Sequence, residues 1–157
     1  MRKTLTFALL WLAAATTAIA GNLKEIEGIL TQPTPPFGVV FEIVEGRGDA
    51  LQWAIPTVND YVKQLRQRFP TISLAVVSHG NEQFGLMTSQ QGKNAEVHDI
   101  VQSLANSDVP VHVCGTHAAW KGKTEEDFPD YVDVAPSGPT QINNYEAMGY
   151  QVVKVSR

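Results

Sequence analysis

The only cysteine of this 157-residue chain, Cys114, closes the β-branched run Val109-Pro110-Val111-His112-Val113-Cys114, and Gly115 follows at once. His112 precedes the sulfur by two residues and His117 follows it by three. Side chains of a strand alternate between faces, so His112 and Cys114 point the same way. A thiolate is the reactive form of cysteine, and a helix start or a protonated imidazole beside it favours that form. The spacing therefore supplies the parts of a persulfide-forming or redox-active thiol, with His112, His117 and His79 available to tune it. The same residue types are soft-metal ligands: imidazole and thiolate suit zinc or copper, and His112, Cys114 and His117 are the set to consider. The spacing matches no familiar zinc motif and there is no second cysteine, so the metal signal is weak and is left open, and no other cofactor is expected. A third reading makes Cys114 a small buried hydrophobe and His112 a strand residue bonded to a neighbour.

Other polar positions carry less. His98 falls on the polar side of a helical pattern and is expected to be solvated. Glu125, Glu126 and Asp127 read as a solvated loop or helix start. Gly46-Arg47-Gly48 is not a dinucleotide fingerprint, no Walker lysine follows it, and no Gly-x-Ser-x-Gly elbow occurs.

The elements that hold Cys114 alternate in type. Asn22 to Leu30 has apolar residues at helical spacing, and the proline-rich stretch from Thr31 to Pro36 ends it. Phe37 to Val44 is a nearly continuous apolar run, as in a strand covered on both faces. Val58, Tyr61, Val62, Leu65 and Phe69 form a helical stripe, whose regular part is expected to begin at Pro56. A second buried strand, Ile72 to His79, ends at Gly80, and Phe84 to Met87 reads as a small edge or loop element. Residues 94–105 form a helix with Asn94 as its cap. Val109 to Cys114 is a third strand and Tyr131 to Val134 a short fourth. Ser137-Gly138-Pro139 opens a helix that ends at Gly149, a left-handed stop, before the last strand, Tyr150 to Val155. Such alternation predicts a parallel sheet with helices on both faces. Ligand sites in these folds lie beyond the carboxyl ends of the strands, where His79-Gly80 and Cys114-Gly115 both fall.

The first twenty residues read as a signal peptide. Arg2 and Lys3 precede the apolar stretch from Leu5 to Ala15, and Ala18-Ile19-Ala20 is a small-x-small cleavage site. The expected organisation is a cleaved segment 1–20, an N-terminal helix and proline-rich linker 21–36, and an α/β domain 37–157, exported to a periplasm. The net charge is −4, and removing Arg2 and Lys3 makes it more negative. No basic cluster remains for nucleic acid, and no membrane association is expected after cleavage. One cysteine cannot form an internal disulfide, so the fold does not depend on one.

Four short motifs, in order, bear a resemblance to a known family. They are His79-Gly80 at a strand end, the Pro110-Val111-His112-Val113-Cys114 strand end, the turn Val134-Ala135-Pro136-Ser137-Gly138, and Met148-Gly149-Tyr150 before the last strand. From Val39 to Val155 the chain resembles the DsrE/DsrF-like (YchN-like) superfamily. The resemblance implies a three-layer α/β/α fold with a five-stranded parallel sheet, assembled as a homo-oligomer, a trimer or hexamer. It also implies that Cys114 stands where sulfur-relay members carry persulfide sulfur, exchanging it with a donor or acceptor protein. A soft-metal or small-ligand binding protein, or an oligomeric module without catalysis, remains the alternative.

Overall fold

Four largely apolar runs and the short segment Asp133–Ala135 give five parallel strands in the order β4-β3-β2-β1-β5. They are β1 (Gly38–Ile43), β2 (Ser73–Ser78), β3 (Val111–Cys114), β4 (Asp133–Ala135) and β5 (Tyr150–Val155). The computed structural model describes the backbone of residues 17–157 and the side chains from residue 23. Residues 1–16, most of the expected signal segment, lie outside the described residues. None of the described helices is long and apolar enough to cross a membrane.

Helices α1 (Thr17–Leu30), α2 (Leu51–Arg68) and α3 (Ala95–Ala105) cover one face of the sheet. Val39, Phe41 and Ile43 of β1 point into that layer, and Phe41 stacks on Tyr61 of α2. The other face carries Val40, Ala75 and Val77, packed against Ile142 and Tyr145 of α5 (Gly138–Ala147). The result is the expected α/β/α arrangement around a five-stranded parallel sheet. A fifth α-helix among the described residues, α4 (Gly115–Trp120), leaves β3 without an intervening loop.

Several local expectations need correction. Helix α2 starts at Leu51, and Pro56 lies inside it. Leu51, Ala54 and Ile55 are fully buried, and their burial outweighs the single backbone hydrogen bond that proline withholds from the second turn. Asn94 does precede α3, but its side chain makes no cap; its Nδ2 donates to the Gly85 carbonyl at 3.1 Å. His98 is buried, not solvated. Its Nε2 donates to the Gly85 carbonyl at 3.0 Å, and its Nδ1 accepts from the Tyr131 hydroxyl at 2.7 Å. The segment after β2 folds as two 3₁₀ turns, Asn81–Leu86 and Thr88–Gln90, and the first supplies the Gly85 carbonyl that both Asn94 and His98 use. Gly149 has φ +89°, the left-handed conformation expected of a helix stop.

Helix α1 belongs to the main core. Ile26 is 1 % exposed and packs with α2 and β5 residues. Ile26→Ala is therefore expected to cost about 2–5 kcal/mol, read as a lowered urea midpoint. An unchanged midpoint would mean that α1 is an appendage.

Candidate functional site

The site begins with the sheet register. Pairing of Ser78 with Val113 carries His79 alongside Cys114 one residue later, both at the carboxyl edge. Glu42, Val77, His112 and Asp133 form the row below them. His79, Cys114, Glu42 and His112 therefore share the face covered by α5.

Gly138, the first residue of α5, fits over two of them. A Cβ at that position would lie 2.4 Å from His79 Cβ, 2.8 Å from His79 Cγ and 3.3 Å from Cys114 Cβ. No larger residue fits without moving the His79 side chain. Gly115 is constrained differently: a Cβ there would meet the Ala135 carbonyl at 3.0 Å, so the open side of this glycine is filled by backbone.

Cys114 is 5 % exposed. Its Sγ accepts the His117 N–H at 3.4 Å, capping the first turn of α4. Its backbone is gripped by the fully buried Gln83. The Cys114 N–H donates to Gln83 Oε1 at 2.7 Å, and Gln83 Nε2 donates to the Cys114 carbonyl at 3.4 Å. Its neighbour Glu82 is equally buried and accepts from the Ser78 hydroxyl, the Gly80 N–H and the Glu45 N–H at 2.8, 2.9 and 2.7 Å. Gln83 and Glu82 were not legible as site residues. Both sit in a polar stretch without periodicity, and nothing in their spacing signals burial.

The histidines serve different ends. His79 Nε2 lies 2.9 Å from Glu42 Oε1, with both side chains about one-seventh exposed, and Lys154 Nζ stands 3.8 Å from the other Glu42 oxygen. Glu42 had a signal that the motif reading passed over: it is the single acid in the apolar run from Val39 to Val44. His117 turns away from the sulfur. Its Nδ1 donates to the His79 carbonyl at 3.1 Å, and its ring meets Phe84 edge-on at 5.2 Å. His112 packs on Tyr145, with 2.8 Å between Nε2 and the hydroxyl, while Asp133 stands 3.8 Å from Nδ1. Burial raises the Tyr145 hydroxyl above its ordinary value, so it stays protonated and donates to Nε2. His112, Cys114 and His117 thus do not converge on a point. Among the described residues no three His, Cys, Asp or Glu side chains are grouped to hold a metal ion.

Burial, opposed in part by Asp133, holds His112 below the ordinary histidine value. The unfolded chain then takes up the proton first, and stability falls as pH drops. The His112 contribution is complete above about pH 6.5, declines as pH falls through that value, and levels off below the folded one. Comparing the urea midpoints of the chain and His112→Gln between neutral and mildly acidic pH isolates it. The difference in slope has a ceiling of about 1.4 kcal/mol per pH unit, and equal slopes would refute the assignment. Gln83→Leu removes both partners of the Cys114 backbone. It is expected to cost about 1–3 kcal/mol and to speed hydrogen exchange at the Cys114 amide, and a slow amide in the variant would contradict the clamp.

No protein-family model and no curated protein matches the chain. Solved structures share its architecture. MTH1491 from Methanobacterium thermoautotrophicum, described as a protein of unknown function, is 20 % identical, with a TM-score of 0.62 over 75 % of this chain and 98 % of that one. The YchN protein from E. coli is 14 % identical, with a TM-score of 0.55 over 74 % of this chain and 98 % of that one. At these identities the likeness speaks for the fold, and it agrees with the motifs at the strand ends: this chain has the DsrE/YchN-like α/β fold.

Proposed function

We propose that the chain carries sulfur as a persulfide on Cys114, taking it from a sulfane donor and passing it to an acceptor thiol. The observation that carries the reading is the position of its only cysteine. The thiol stands at the carboxyl edge of a parallel sheet, where folds of this kind bind their ligands, and its sulfur already accepts a backbone N–H. The motif resemblance supports the same position for the sulfur acceptor. Cys114 thiolate attacks the outer sulfur of a donor R–S–SH. A new S–S bond forms, the donor S–S bond breaks, R–S⁻ leaves, and Cys114 holds –S–SH. An acceptor thiolate then removes the outer sulfur in the same way. With so little of Cys114 exposed, a small polysulfide is the fitting donor. The charged, apolar and small-residue order of the first twenty residues supports export to the periplasm, and the resemblance supports a homo-oligomer.

The test is intact mass after incubation with polysulfide, beside Cys114→Ser. The expected result is a gain of one sulfur that is absent in the variant and removed by an added thiol. No adduct on the folded chain, with alkylation of Cys114 only after unfolding, would overturn the reading and make the thiol a packing residue.

A further inference from the structure

We propose that Glu42 is a positioning residue for His79, and that the Glu42–His79 pair moves the proton for chemistry at Cys114. The proposal rests on Cys114 being the sulfur acceptor. Three observations carry it. His79 and Cys114 are neighbours across β2 and β3 on one face, and a Cβ placed on Gly138 would meet both side chains. His79 Nε2 is committed to Glu42 at 2.9 Å, on a largely covered carboxylate. Among the described residues, Nδ1 of His79 makes no hydrogen bond. A neutral imidazole that donates Nε2–H to a carboxylate keeps its lone pair on Nδ1. This is the tautomer that lets a histidine act as a base toward a nearby nucleophile.

The pair completes the exchange without free ions. Nδ1 takes the Cys114 S–H proton while the sulfur attacks the outer sulfur of R–S–SH. The donor S–S bond breaks, and the imidazolium returns the proton to the departing R–S⁻. Cys114-SH and R–S–SH become Cys114-S–SH and R–SH, with no oxidant or reductant. Glu42 stabilises the transient imidazolium and keeps its ring from rotating. Other titratable groups face the pair: Lys154 at the far Glu42 oxygen, His117 on the His79 carbonyl, Glu82 on the Gly80 N–H and His112 one row below. The helix above contributes the uncharged Gly138 at the point of contact.

The experiment measures two rates at Cys114 against pH in the full chain, His79→Asn and Glu42→Gln: sulfur uptake from polysulfide, and alkylation by iodoacetamide. Each variant is expected to slow both reactions about tenfold or more near neutral pH, with the gap closing in alkaline buffer where hydroxide removes the thiol proton. A residue that only supports the fold would lower the rate equally at every pH. Folded variants whose profiles superimpose on the parent would overturn the proposal. Should Glu42→Gln fail to fold, His79→Asn carries the same comparison. The two readings fail separately. If the parent takes up no sulfur while its alkylation profile still shifts in the variants, the carrier reading falls and the proton-transfer pair stands.

Discussion

The buried turn at Glu82 and Gln83 is the constraint on which the working edge of this molecule depends. Where parallel strands end, their last N–H and C=O groups lose their ladder partners, and burying them unpaired is costly. Here two adjacent side chains supply the missing partners for three strands. Glu82 gathers the exits of β1 and β2 through Glu45, Ser78 and Gly80, and Gln83 secures the end of β3 through both backbone groups of Cys114. No buried side-chain nitrogen or oxygen among the described residues lacks a partner. The position of Cys114 is thus set by a residue thirty-one positions earlier in the chain, not by its own short strand.

That arrangement divides the four histidines by task. His98 joins α3 to the turn after β2, His112 joins the sheet to α5 through Tyr145, and His117 ties α4 back to the His79 carbonyl. His79, at the end of the neighbouring strand, has Nε2 on Glu42 and no hydrogen bond at Nδ1 among the described residues. Proximity in sequence is a poor guide to this division. His112 and His117 flank Cys114 in the chain, yet their rings bond to Tyr145 and to the His79 carbonyl, while the histidine that shares the thiol's row and face comes from the neighbouring strand.

The fold was largely legible because its signals are periodic. Near-continuous apolar runs marked strands covered on both sides, and their alternation with helical stripes required a parallel sheet. Ends were less legible wherever tertiary burial competed with a local rule, as when Leu51 and Ala54 extended α2 past Pro56. The site was legible only in part. Cys114, His79 and their shared edge followed from strand ends, whereas the grip of Gln83 and the solvent-free setting of His98 depend on a non-repeating turn packing back on the sheet. Glu42 is the instructive case. A lone carboxylate in an apolar strand must find a partner, and the sequence alone leaves open which cation or donor that is.

The sulfur of Cys114 is also the cap of α4. One atom therefore belongs both to the chain's only thiol and to the start of a helix. Any group bonded to Sγ would sit beside the His117 N–H, so a change at the thiol bears directly on the hydrogen bond that starts α4. His117 lies within ring contact of Trp120, whose side chain is largely open to solvent. A chain of contacts thus runs from a covered sulfur, through the backbone and ring of one histidine, to an indole at the surface.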